Sequence, residues 1–303
     1  MKNILTIIFR LTVSCILAGL VMGATFVLTN KAKKHNEHVN EQKVMLRLLG
    51  YTDKHPAPAS LALHEVYRYL IGEGDSLTMG YLVPTKSEGA GHGSFAFVTI
   101  DLAGNFVSQS PVTLAEEQAG EAEPRLKAIQ AAVGGKNVRY ADQTIVATVD
   151  GQRSAYLLPG RYPGFKTFIE SMVALDPKFT ILGLEIMGHE EDPGLGGEIV
   201  QKYFKNQFKA KPVDKVKVLD VVKTPLPEEY REALEADGTE AMDAEAIAKV
   251  EASYKDKDIY AITGATISSR AVTNGVKGMV KKFAYRIAIL DKVLAEQQIA
   301  TPF

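Results

Sequence analysis

The sequence has 303 residues, 46% of them hydrophobic and 23% charged, with a formal net charge of −1, which is ordinary for one folded body or two small ones. That charge supplies no basic field of the kind that binding to phosphates needs, and nucleic acid is excluded as a partner. Cys15 is the only cysteine, which excludes an intrachain disulfide, a CxxC zinc site and a protein-held iron–sulfur cluster.

The first feature in chain order is a run of nineteen uncharged residues from Leu11 to Thr29, extended back to Ile4 across Arg10. At about 1.5 Å per residue it spans a hydrocarbon core of about 30 Å. It exceeds the apolar region of a cleaved signal peptide, so residues 1–30 are expected to be an uncleaved, single-pass transmembrane anchor. Lysines 31, 33 and 34 follow it while Lys2 and Arg10 precede or interrupt it, so charge does not set the topology. Residues 31–60 then read as a polar helical stalk that turns apolar at Met45, Leu46, Leu48 and Leu49 and stops at Gly50, followed by a Pro56/Pro58 linker.

The body starts near Leu61. Strand signals cover 78–85, 94–101 and 105–110, and Asp150-Gly151-Gln152 reads as a hairpin connection between two further strands. A helix is expected over 124–133, a strand over 179–187, a helix through Ile199, Tyr203, Phe204 and Phe208, and a return to the sheet at 215–222. Residues 225–257, rich in Glu, Ala and Asp, read as a solvated helical insertion with little apolar face. Val272, Val276, Met279, Val280, Phe283, Ile287 and Leu290 predict one long amphipathic helix starting near Ser268. The fold class is α+β: a transmembrane helix followed by an antiparallel-sheet/helix domain. Residues 61–150 form the N-terminal part of the body, with a separate α+β subdomain as the alternative, and 151–303 form the second part.

The chemistry concentrates where a short apolar strand, Ile259 to Ile262, leads through Thr263-Gly264-Ala265-Thr266 into the long helix. A helix N-terminus offers free N–H groups and the positive end of the macrodipole, so it holds a phosphate without lysines. Gly264 and Ala265 keep side chains away from a bulky group, and Ser268 and Ser269 supply hydroxyls. On the residues alone, Thr263 or Ser268 simply capping the helix is the competing reading. His189 with Glu190 and Glu191 is poor metal geometry, since adjacent side chains point to different faces. His189 and His92 are read as surface residues and no metal site is expected.

The Thr263–Ser269 stretch, TGATISS, resembles the FMN-binding domain of the G subunit of the Rnf electron-transport complex and of the C subunit of the sodium-pumping NADH:quinone oxidoreductase. Those proteins carry a Ser/Thr-Gly-Ala-Thr-x-Ser/Thr stretch, and Glu190 to Ile199, EEDPGLGGEI, is similar to their Glu-Thr-Pro-Gly-Leu-Gly stretch upstream. Tyr260 stands where the family often has an aspartate, and Asp192 where it has threonine. Gly23-Ala24-Thr25 in the anchor is a chance match that lacks the following serines.

The resemblance implies a membrane-anchored flavoprotein subunit with FMN esterified through its phosphate to Thr266. Thr263, Gly264, Ala265, Ser268, Ser269, Glu190, Pro193, Gly194, Leu195 and Gly196 would surround it, and no protein side chain would be catalytic. It further implies attachment by a flavin transferase, other membrane subunits as partners, and electron relay in an ion-translocating complex. The flavin domain is then expected on the extracytoplasmic side of a bacterial inner membrane. The C subunit of a sodium pump, a non-redox anchored binding module and a freestanding flavin reductase are the alternatives.

Overall fold

The structure, a computed structural model, describes residues 2–72, 77–86, 94–236 and 244–303; His92 lies outside them. The first helix, α1 (Lys2–Leu48), runs unbroken through the apolar segment and the stalk. Its Ile4–Asn30 portion, 27 residues with no part buried in the protein, is long and apolar enough to cross a membrane. No proline interrupts it, and Gly50, whose φ is +88°, closes the helix.

Strands β1 (Ala62–Ile71), β2 (Thr78–Pro84), β3 (Ser94–Ile100), β4 (Phe106–Thr113), β5 (Val138–Val149), β6 (Gln152–Pro163), β7 (Phe168–Leu175) and β8 (Ile181–Gly188) form one eight-stranded antiparallel sheet in the order β4-β3-β2-β1-β5-β6-β7-β8. Position 150, where the sequence divides the body, is the turn of the β5–β6 hairpin inside that continuous sheet. Asp150 (φ 52°) and Gly151 (φ 74°) both take positive φ, the backbone of a two-residue type I′ turn whose twist matches the flanking strands. Between β4 and β5 lie α2 (Glu116–Gly120) and α3 (Ala122–Ala132).

Period-two alternation sends side chains to two faces of this sheet. One face carries Val146, Tyr156, Leu158, Val173 and Leu175 and is covered by α8 (Thr266–Glu296) through Val272, Val276, Val280, Phe283, Ile287 and Leu290. On the other, Val44 and Met45 of α1 pack on Ile145, Leu157, Met172 and Ala174, while α3 packs on Tyr67, Tyr69, Leu82 and Phe97. Leu48 touches Gly183, and Arg47 pairs with Glu185 at 2.8 Å. With Asn40 and Glu41 lining one groove with Met187, β8 runs back along α1 toward the apolar span.

Three expectations need correction. The segment 215–222 does not rejoin the main sheet: α5 (Val213–Val216) is one helical turn, and β9 (Val221–Val222) pairs in parallel with β10 (Ile259–Tyr260) as a separate ribbon. Val216 and Leu219 bury themselves against the α8 side of the core, a use of apolar residues that needs no ladder. The helix through Ile199 to Phe208 is broken into a 3-10 segment (Gly196–Val200), α4 (Lys202–Lys205) and a second 3-10 turn (Asn206–Phe208). The glycine pair at its start weakens helix formation, but Ile199, Phe204 and Phe208 still become fully buried. The acidic insertion, with α6 (Glu228–Glu235) and α7 (Ala244–Tyr254), has more apolar face than its composition implies. It buries Tyr230, Ala233 and Leu234, and Tyr230 stacks on Tyr254 with ring centroids 4.1 Å apart.

Candidate functional site

The α8 helix starts at Thr266, two residues before the position expected from its apolar period, and Ala265 at its N-cap makes no side-chain cap. The N–H groups of Ala265 and Ser269 are used by Ile262 O and Ala265 O. Those of Thr266, Ile267 and Ser268, within the first helical turn, have no intrahelical acceptor. Ser269, fully buried, braces the turn: its Oγ accepts from Ile262 N at 3.0 Å and donates to Ala265 O at 2.9 Å. Gly264 takes φ +79°, and a Cβ there would meet Leu195 Cδ2 at 3.1 Å. Thr263 and Gly264 are exposed, Ala265 is buried, and half-buried Thr266 makes no side-chain hydrogen bond to the described residues.

The loop after β8 closes against this turn. Gly194 has φ +71°, and Asp192 O accepts from Leu195 N at 3.2 Å and Gly197 N at 2.8 Å. Pro193, Gly194 and Leu195 are exposed. Gly196 is buried, and a Cβ on it would lie 2.5 Å from Ser268 Oγ and 2.7 Å from Glu191 Oε2. Only glycine allows the two segments to approach so closely.

Their direct link is Glu191, 4% exposed. Its Oε2 accepts from Ser268 Oγ, and its Oε1 accepts from Phe165 N at 2.7 Å and Lys166 N at 3.2 Å. One buried carboxylate thus joins the β6–β7 turn, the glycine loop and the first turn of α8. Lys166 also pairs with Asp192. Glu190, singled out from the sequence, is exposed beside it. Counting two positions back from Pro193 in the Glu-Thr-Pro-Gly-Leu-Gly pattern gives Glu191, the signal that identifies the buried partner. His189 accepts from Glu191 N at 3.2 Å through Nδ1, and no group of His, Cys, Asp and Glu side chains among the described residues is placed to hold a metal.

Residues 164–281 match the sequence family described as the FMN-binding domain, a span that encloses both segments joined by Glu191 and Ser268. This region is similar to FMN-binding domains. Outside it lie α1 and all of strands β1 to β6. Among curated relatives, the chain is 33% identical over 150 residues to the G subunit of the proton-translocating ferredoxin:NAD(+) oxidoreductase complex of Clostridium ljungdahlii, a match covering 50% of this chain and 62% of that protein. It is 37% identical over 68 residues to the G subunit of the ion-translocating oxidoreductase complex of Haemophilus influenzae, covering 22% of this chain and 33% of the relative. The chain thus spans less than two thirds of the length of these relatives.

Two solved structures are also similar. The C subunit of the Na(+)-translocating NADH-quinone reductase of Parabacteroides distasonis gives a TM-score of 0.35 at 21% identity, covering 66% of this chain and 77% of that one. NqrC of Shewanella oneidensis gives 0.34 at 23%, covering 46% and 56%. Both motifs lie within residues 164–281, at the N-terminal end of α8. The exposed apolar side chains there are Phe165, Leu195 and Ile267.

Proposed function

We propose that Thr266 carries FMN through a phosphoester, and that the chain relays electrons within a membrane-bound, ion-translocating oxidoreductase complex of the Rnf type. The observation that carries this reading is the Glu191–Ser268 hydrogen bond, which seats the Pro193–Gly197 loop against the Thr263–Thr266 turn inside an FMN-binding domain. The residues fit the group. The free N–H groups of Thr266, Ile267 and Ser268 sit where a phosphate on Thr266 needs them, and Gly264 and Gly196 keep the approach clear. Phe165, Leu195 and Ile267 offer apolar surface for a flat ring.

FMN supplies reversible one- and two-electron transfer when bound. The chain's own residues bind and orient: the α8 N-terminus stabilises the phosphate charge, and Glu191 fixes Ser268 and the loop. No side chain needs to act as general acid or base. Since β8 runs back along α1, this end of the domain faces the membrane-spanning segment, which suits exchange with other subunits in the membrane. We assign the domain to the extracytoplasmic face of a bacterial inner membrane and its maturation to a flavin transferase.

The test is in-gel flavin fluorescence of the full chain co-expressed with a flavin transferase and then denatured. Wild type and Thr25→Val are expected to give a fluorescent band and Thr266→Val none. A dark wild-type band overturns the reading; a bright Thr266→Val band moves the attachment point.

A further inference from the structure

The β5–β6 ladder ends at Ile145↔Leu157. Beyond it, β6 and β7 stay paired with each other down to Pro163↔Phe168, whereas the pairing of β8 stops at Gly188, opposite Glu170. The sheet therefore splits, and the β6–β7 hairpin projects from it, closed by the turn 164–167. Its direction is set by α1. Leu48 touches Gly183, Arg47 pairs with Glu185, and Asn40 and Glu41 line the groove at the split with Arg161, Glu170 and Met187. Contacts descend α1 as they approach the tip of the hairpin, so the tip points at the apolar span.

The height of the tip follows. Glu41 lies about 17 Å along α1 from Asn30, where the apolar span ends and Lys31, Lys33 and Lys34 begin. From Glu170, beside Glu41 in that groove, two strand residues to Phe168 descend about 7 Å, and the turn lies lower still. Phe168 is thus about 10 Å and the turn about 5 Å beyond the end of the span. The headgroup layer of a bilayer extends about 5–7 Å beyond its hydrocarbon, so the turn reaches it.

The tip has the chemistry of that layer. Among the phenylalanines outside α1, only Phe165 and Phe168 are exposed, at 56% and 48%. Phe168 shares its face of β7 with Met172, on which α1 packs. Glu191 accepts from Phe165 N and Lys166 N, and Gly164 N donates to Thr167 O at 2.6 Å, so a fixed backbone presents both rings. Arg161 lies over the Phe168 ring at 4.3 Å. It pairs with Glu170, and Lys166 pairs with Asp192, so the cations of the tip are matched and its attraction to a bilayer is apolar rather than ionic.

We propose that the β6–β7 turn is a membrane-contact element: Phe165 and Phe168 seat among the lipid headgroups of the bilayer that α1 crosses and hold the body against its surface. The proposal rests on α1 crossing a membrane and not on the flavin. Its test uses full chains carrying Phe165→Trp, Phe168→Trp or Gln152→Trp in phosphatidylcholine vesicles, with flotation to show that α1 is anchored. The sequence has no tryptophan, so each is the sole reporter, and Gln152 sits in the β5–β6 turn at the far end of the sheet. The reading is emission in vesicles with dibrominated acyl chains relative to ordinary ones, a ratio from which quenching by a bound flavin cancels.

Emission at 165 and 168 is expected to be quenched several-fold more than at 152. Adding Phe165→Ser should bring the quenching at 168 close to that at 152, and because both rings are exposed the melting temperature should not change. Equal quenching at all three positions, or quenching at 168 that Phe165→Ser leaves unchanged, overturns the proposal. A chain that does not float with the vesicles overturns it at the anchor. A response that appears only when other membrane subunits are present overturns it in favour of a protein partner on this face.

Discussion

Replacing Glu191 with alanine tests whether one carboxylate joins three segments. The substitution strands Ser268 Oγ in a residue only 3% exposed, and an orphaned buried donor costs about 1–3 kcal/mol. The Phe165 and Lys166 N–H groups belong to exposed residues and can turn to water, so their loss adds about 0.5–1 kcal/mol together. The expected destabilisation is about 2–4 kcal/mol, or roughly 5–10 °C in melting temperature for a body of this size. Circular dichroism of the full chain in detergent reads it. Glu191→Gln keeps an acceptor for the two backbone donors and should lose less than half as much. The double variant with Ser268→Ala should fall short of additivity by about 1 kcal/mol or more, as contacting partners do. A Glu191→Ala protein melting within a degree of wild type, or strictly additive losses, refutes the reasoning.

Gly275 and Gly278 lie one turn apart on α8, yet the first would place a Cβ 2.4 Å from the Tyr162 ring while the second meets nothing. Gly275→Ala should therefore destabilise by about 1–3 kcal/mol, and Gly278→Ala should stabilise by up to about 1 kcal/mol, both read by thermal melts. Asp142 accepts from Arg68 at 2.9 and 2.6 Å and from Arg286 at 2.9 Å. Burial works to raise its pKa, but the two guanidiniums outweigh it and hold the carboxyl below its ordinary value. Its stabilising contribution is thus present above the usual carboxylate pKa and lost as pH falls through the lowered one. Asp142→Asn should cost about 2–4 kcal/mol at neutral pH and flatten the acid limb of a stability-versus-pH curve. Lys211, 1% exposed, donates to Tyr254, Lys255 and Lys257 carbonyls at 3.3, 2.9 and 2.7 Å, and burial lowers its pKa to about 8. The unfolded chain then binds this proton more tightly than the folded one, so between pH 8 and the ordinary lysine range wild type should gain stability relative to Lys211→Met; denaturant titrations at pH 7.5 and 9.5 compare them.

What the sequence made legible was decided by local chemistry. Asp150-Gly151 marks its hairpin because few residues tolerate two successive positive φ angles, and α8 is visible because eight buried apolar residues keep helical period. Two-residue strands such as β9 and β10 have no period to detect. Adjacent acids look alike in composition: counting back from Pro193 singles out Glu191, but why it is buried while Glu190 is exposed emerges only when Ser268, 77 positions later, donates to it. The split in the sheet was also hidden, because the strand signals either side of Asp150 carry no record of where their pairing ends, and only the divergence in space separates 140–144 from 158–163. The broken helix after Ile199 shows the opposite weighting: periodicity identified which residues bury, while the glycines decided the backbone that carries them.

The unbroken course of α1 makes it a post of defined height and bearing. From Asn30 to Leu48 it rises about 27 Å, and the body is clamped to its far end by Val44, Met45 and the Arg47–Glu185 pair. Height and azimuth are consequently geared together. Each residue added to the post lifts the body about 1.5 Å and swings it by about 100°. A single insertion barely changes the distance to the bilayer but turns the Thr266 end to another side, whereas seven residues restore the bearing about 10 Å higher.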